Sequence, residues 1–276
     1  NNVTTVDKGI VIEDVTVDSE GKATATAGSQ FVWIPVGKIY TDVAKTDANA
    51  KTIELNRYTF DSNGKPTAQG EKVVKTYYSE TASKGNTVAK DINAFKTSAT
   101  TNGGYYIGRY EARTTTKRTA EGNALTQITE KGTDQIYNYV KQPQAAKLSQ
   151  EMYNSNKFTS DLMNSYAWDT ATLFLQTCGE EKYSIKKRVN NSLASRGTNS
   201  SDYTGTRDTV CNVYDMASNI REWTTETSDF SFNPCVDRGG NYYSSNDYTS
   251  IRYNDSTSYG YDYIGFRPLL FVGLNS

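Results

Sequence analysis

Apolar residues come in short runs along this chain, divided by long polar stretches. "GIVIEDV" (9–15) is β-branched, and "SQFVWIPVG" (29–37) is an apolar run closed by Pro35 and Gly37. Both predict strands, with the turn residues of "DSEGKATATAG" between them. Residues 40–101 are polar and predict a long surface excursion with one strand, over 71–78. "NGGYYIGRYEAR" (102–113) predicts a turn leading into an aromatic strand. Pro143 opens a helix expected over 144–153. A second helix is expected over 160–178, capped by Thr159 or Ser160 with Asp161 in its first turn. Met163, Ala167, Ala171, Phe174 and Cys178 recur there at helical spacing and make one apolar stripe. Residues 184–210 are polar and predict a loop. Strands follow over 220–225, through "PCVDRGGNYY", and through "IGFRPLLFV", where Pro268 is expected to mark an edge or a bulge.

Two helices thus sit between strands drawn from both ends of the chain. There is no βαβ alternation and no glycine-rich phosphate loop. The expected class is α+β, with an antiparallel sheet joining the chain ends. Residues 1–28 read as an N-terminal extension with a strand, and 29–273 as a single domain. No apolar run is long enough to span a bilayer. The chain begins at Asn1 with neither Met nor a signal peptide and reads as mature or trimmed, so any original targeting or anchoring segment is not visible in it.

The net charge of −1 sets up no global field for nucleic acid or an anionic membrane. The absence of histidine removes Ser-His-Asp and Cys-His catalysis and every His-ligated metal site. Carboxylate and metal–oxygen chemistry remain open, yet an enzyme becomes less expected. Cys178, Cys211 and Cys235 form no CxxC pair. One disulfide with a leftover thiol and three buried thiols both fit that spacing.

Six segments occur in a characteristic order: "FVWIPVG" (31–37), "GGYYIGRYEA" (103–112), "SDLMNSYAWDTATLF" (160–174), "NVYDMASNIREWTTE" (212–226), "RGGNYY" (238–243) and "IGFR" (264–267). Together they resemble the formylglycine-generating-enzyme (sulfatase-modifying factor) family, a branch of the C-type-lectin-like folds. The resemblance spans roughly 29–273. It implies that the RGG and GFR segments lie on neighbouring strands. Asn219, Glu222, Trp223, Arg238, Gly239, Gly240, Gly265, Phe266 and Arg267 are then expected to be scaffold. The glycines allow close backbone approach, and Arg267 can pair with a carboxylate such as Glu222. The resemblance also allows a structural calcium ion near Asn219 and Glu222, or a turn that these side chains merely tie to the sheet. The family's oxidases use a C-terminal cysteine pair that binds copper. No cysteine follows Cys235 here, so oxidase activity and a redox metal are not expected.

The segment 238–270 is the least ordinary. Between Asn241 and Tyr263 stand seven Tyr, five Ser, three Asn, three Asp and two Thr, without Lys or Glu. Disordered segments are poor in aromatics, and a packed core would strand this many polar atoms. The composition matches that of antibody paratopes, in which Tyr supplies contact area and Ser, Gly and Asn supply adaptable hydrogen bonds. It also resembles the variable segment of diversity-generating-retroelement proteins, in which mutated adenines of Asn codons yield Asn, Tyr, Asp, Ser, Thr, Gly and Ile. The expected binding residues are Asn241, Tyr242, Tyr243, Asn246, Asp247, Tyr248, Ile251, Tyr253, Asn254, Asp255, Tyr259, Gly260, Tyr261, Asp262 and Tyr263, with Trp223 and Arg252 as floor or rim. The implied protein is a non-catalytic variable receptor or adhesin on a bacterial surface, secreted, or on a phage particle. Its partner would be a protein or glycan on another cell or particle. A fixed lectin-like binding domain and a residual oxidase are the alternatives.

Overall fold

In the computed structural model, which describes residues 5–16, 18–20, 28–42, 44–74, 77–81, 84–153, 157–188 and 208–273, both ends of the chain enter one sheet. Its strands are β1 (Val11–Glu13), β2 (Gln30–Pro35), β5 (Gly104–Gly108), β6 (Phe158–Leu162) and β11 (Pro268–Val272). They lie in the order β1-β2-β5-β11-β6, and every neighbouring pair is antiparallel. A second sheet comprises β3 (Lys72–Val73), β4 (Tyr78–Ser79), β7 (Arg221–Ser228), β8 (Cys235–Arg238) and β9 (Arg252–Asp255), ordered β9-β8-β7-β4-β3. β10 (Ile264–Phe266) joins it parallel to β7. The described residues therefore form a mixed α/β fold of mostly antiparallel sheets, with three helices: α1 (Ile92–Thr101), α2 (Gln142–Glu151) and α3 (Ser165–Cys178).

The apolar stripe on α3 sets the main core. Ala167, Ala171 and Phe174, with Met163 just before the helix, are buried in one cluster with Ile34, Tyr105, Ile107 and Leu269 of the first sheet, and Cys178 is partly buried at the end. The helix starts later than its sequence predicts. Residues 158–162 pair with β11 instead, and Asn164 caps α3 by accepting from the Ala167 backbone N–H at 2.8 Å. Sheet pairing there overrides a compatible helical spacing.

Four further differences have identifiable causes. The polar region 40–101 contains α1, capped by Asp91 through the Ala94 N–H at 2.8 Å, with only Phe95, Ser98 and Ala99 buried. So narrow a stripe is weak as a periodic signal. The strand expected over 71–78 is two short strands, β3 and β4, paired antiparallel. Pro268 is neither at an edge nor in a bulge. It begins β11, in the middle of the first sheet, where its missing N–H interrupts no run of ladder bonds. The 241–263 window is not one loop, because β9 pairs with β8 inside it. Most of the turn expected around 18–28 and most of the loop expected over 184–210 lie outside the described residues.

Candidate ligand-binding surface

β7 is the axis of the site. β8 lies antiparallel on one side of it and β10 parallel on the other. The RGG and GFR strands therefore flank β7 and are not each other's neighbours. Trp223 stands opposite Asp237 on β8 and Phe266 on β10. It is fully buried, and its indole N–H donates to the Val140 carbonyl at 2.8 Å. Gly239 has φ +82°, and a Cβ there would stand 2.5 Å from the Met216 carbonyl oxygen. A Cβ on Gly240 would stand 2.0 Å from the Ala217 carbonyl oxygen. Only glycine lets this corner back onto the 216–217 turn.

The residues expected to offer oxygens to calcium are committed elsewhere. Arg267 donates to both Glu222 oxygens, at 2.6 and 3.1 Å, and to the carbonyls of Gly108 and Tyr214 at 2.8 Å. Asn219 sits in the left-handed region (φ +63°) and donates to Glu111 at 2.9 Å. Among the described residues no cluster of His, Cys, Asp or Glu is placed to hold a metal ion. Through these bonds Asn219 and Glu222 tie the turn to the sheet.

A buried ion network fills one face of β8 and β9. Arg57, Arg238 and Arg252 surround Asp169 and Glu226: Arg57 meets Glu226 at 2.5 Å, Arg238 meets Asp169 at 2.5 Å, and Arg252 Nε meets Glu226 at 3.0 Å. Burial works against the Glu226 charge, but Arg252, Arg57 and Arg238 together hold its pKa at about 2. Arg252, expected at the rim of the binding surface, belongs to this network. Strand alternation places Asn254 on the same side, away from Tyr253.

The window itself divides into anchors and a displayed face. Asn241, Tyr242, Asp247 and Gly260 were expected at the surface and are buried. Asn241 accepts from the backbone N–H groups of Tyr243 (2.8 Å) and Ser244 (2.7 Å), and donates to Asp247 at 3.1 Å. Asp247 also accepts from Arg221 Nε (3.0 Å) and Nη2 (2.7 Å), Ser244 Oγ (2.9 Å) and Tyr253 OH (3.2 Å). The Tyr242 hydroxyl donates to Asp262 at 2.5 Å. Short polar side chains suit turns because they can bond neighbouring backbone, so these window residues brace the loop. Tyr248 bridges to Lys187, and Ser250 donates its N–H to Ser184, so residues 248–251 lie against a different part of the molecule.

The displayed face is aromatic. Tyr243 stacks on Tyr263 (6.0 Å, 20°), Tyr263 on Tyr261 (5.0 Å, 12°), and Tyr261 meets Tyr259 at 5.2 Å. Tyr243 is 64 % exposed, and Tyr253 and Tyr259 are each 37 % exposed. Tyr261 and Tyr263 are half-buried against the cluster that contains Trp223, Cys235 and Phe266. Asn246 is exposed, and Asp255 shares the face of Tyr253. Arg221 links the parts: its guanidinium carbon is 3.5 Å from the Tyr253 ring centroid and 6.0 Å from that of Tyr263. Sequence analysis passed over Arg221. Its signal was its position two residues before Trp223 on one strand, which puts both side chains on one face.

The three cysteines are free thiols, and burial pushes their pKa values up to about 11 at Cys178 and about 12 at Cys211 and Cys235. Such thiols are poor nucleophiles.

No family model matches the chain, and no curated protein matches it. Among solved structures, the chain is similar to Treponema denticola variable protein 1, with a TM-score of 0.43 at 15 % identity, over 89 % of this chain and 97 % of that one. A likeness at that score carries no functional argument.

Proposed function

We propose that this is a non-catalytic binding protein of C-type-lectin-like fold, in the formylglycine-generating-enzyme branch. Its binding surface is the tyrosine face of 243–263, carried on β9 and the segments that flank it. The observation that supports this is the continuous run Tyr243–Tyr263–Tyr261–Tyr259, partly exposed yet held from beneath by Trp223, Arg221 and Asp247. Such an arrangement offers large amphipathic contact area at low entropic cost, because the rings are already ordered. Residues contributing to the face are Tyr243, Asn246, Tyr253, Asp255, Tyr259, Tyr261 and Tyr263.

The window's composition supports a diversity-generating-retroelement target displayed at a cell or particle surface. In that reading the exposed tyrosines vary and the scaffold does not. The direct test is a variant in which Tyr243, Tyr253, Tyr259, Tyr261 and Tyr263 are replaced by Ser. It is compared with the unaltered protein on glycan and cell-surface protein arrays. Every array signal should disappear while the circular dichroism spectrum stays folded; signals that survive would place the binding site elsewhere. A near-copy of the 238–273 coding segment beside a reverse-transcriptase gene would support diversification. Turnover of a Cys-containing sulfatase peptide with copper would refute the non-catalytic reading.

A further inference from the structure

Two buried carboxylates share Arg221 and hold it unequally. Its Nε and Nη2 donate to Asp247 at 3.0 and 2.7 Å, while Nη1 stops 3.6 Å from Asp237. Asp237 is fully buried, and neither of its oxygens has a hydrogen-bond partner among the described residues. The strand register brings these groups together. Asp237 stands opposite Trp223 on β7 and Tyr253 on β9, and Arg221, two residues before Trp223, shares that side of the sheet. The same guanidinium backs a displayed ring. Its carbon lies 3.5 Å from the centroid of Tyr253, which is 37 % exposed and donates its hydroxyl to Asp247 at 3.2 Å.

A buried carboxyl without hydrogen bonds is tolerable while it carries its proton and costly once ionised. The charged groups facing Asp237 are Arg221 on β7, Asp255 on β9 and Asp247 in the window. Cys235, Tyr253 and Tyr263 also face it, and all three have pKa values raised above their ordinary ranges and so stay neutral. Arg221 is the one cation in that set. A charge-assisted N–H···O bond spans about 2.7–2.9 Å, so Nη1 has to close by a little under about 1 Å to pair with an ionised Asp237. The guanidinium is planar and rigid, so it moves as one body. Because β8 lies between β7 and β9, Arg221 reaches past Asp237 to stack on Tyr253, and a pull toward Asp237 draws it back from that ring.

Building on the binding-surface reading, we propose that Asp237 is a positioning residue for the tyrosine face, acting through Arg221. Protonated, it leaves Arg221 against Tyr253. Ionised, its proton released to solvent, it draws Arg221 inward and uncovers that ring. Burial holds the proton up to about pH 7, so the face changes between acid and mildly alkaline surroundings.

The test uses the full chain with a soluble flavin dye and reads the photo-CIDNP signal of the Tyr253 ring by NMR, which reports how well the dye reaches a tyrosine. Tyr243, the most exposed tyrosine of the face at 64 %, is the internal reference. From about pH 5 to about pH 9 the Tyr253 signal relative to Tyr243 should rise at least about twofold, with the Arg221 Nε resonance shifting at the same midpoint. Asp237→Asn, which cannot ionise, should hold the ratio at its low-pH value, and Arg221→Gln should hold it at the high one. Glu121→Gln, at another carboxyl beside the window, should leave the response unchanged. Three outcomes would overturn the proposal: a Tyr253 ratio that ignores pH or falls as pH rises, the same rise in Asp237→Asn, or a rise without any shift at Arg221 Nε. The unaltered protein alone supplies the first and third, so loss of fold in a variant does not hide them. If the ratio ignores pH while the arrays still lose their signals in the five-tyrosine variant, the binding-surface reading survives and only this inference fails.

Discussion

Replacing Asp247 by Ala tests whether the window is braced from within. Asp247 is fully buried and accepts five hydrogen bonds, from Arg221 (two), Asn241, Ser244 and Tyr253. Truncation removes the main counter-charge of Arg221, whose side chain is only 11 % exposed. Breaking a buried pair by removing one partner typically costs about 3–5 kcal/mol. Arg221 keeps a weaker neighbour in Asp237 at 3.6 Å and its stacking on Tyr253, which places the expected loss near the lower end, about 3 kcal/mol. For a chain of this size that is a fall in Tm of roughly 6–12 °C. Asp247→Asn keeps the shape and part of the acceptor capacity and should fall between Ala and the unaltered protein. Urea unfolding measures the difference, with the m-value required to stay constant. Asn246→Ala, one residue away and exposed, is the control and should stay within about ±0.5 kcal/mol. If Asp247→Ala and Asn246→Ala unfold at the same urea concentration, Asp247 is not an anchor and the division of the window into anchors and displayed face is wrong.

Other outcomes follow from the same structure. Trp223→Ala should lose about 3–5 kcal/mol, because a fully buried ring is removed from the cluster under Tyr261 and Tyr263, and the near-UV dichroism of those tyrosines should change with it. Tyr243→Ser should stay within about ±0.5 kcal/mol, whereas Tyr261→Ser should be measurably more destabilising in the same thermal melts; equal effects would contradict the burial pattern. Burial, opposed by Arg221 and reinforced by Asp255, raises the Asp237 carboxyl from 3.8 to about 7. The native state therefore holds a proton that the unfolded chain has released, so this contribution is full below about pH 4 and is lost as pH rises to about 7. That range corresponds to roughly 4 kcal/mol of differential ionisation. Asp237→Asn should flatten the fall in stability between those pH values, and an unchanged slope would show that the group does not titrate there. The other groups facing Asp237, namely Arg221, Cys235, Asp247, Tyr253, Asp255 and Tyr263, are kept intact in that comparison.

The chain's own pattern determined its class. Strands at both ends with a helical stripe between them can bury their apolar faces only by packing together, and Met163, Ala167, Ala171 and Phe174 do so. The pattern also singled out 241–263, because its composition suits neither a core nor a disordered tail. Local pattern could not tell Asn241 and Asp247 from Asn246, or Tyr242 from Tyr243. These residues share one alphabet, and their roles depend on partners that only the fold brings near: Arg221 for Asp247, Asp247 for Asn241, and Asp262 for Tyr242. Strand pairing decided that Ser160 and Asp161 join β11 and not α3, since long-range ladder bonds with 268–272 outweigh a helical spacing. The tyrosine face follows the same logic. Composition supplied the rings, but the placing of β8 and β10 on either side of β7 is what brings Tyr243, at one end of the window, against Tyr263 at the other.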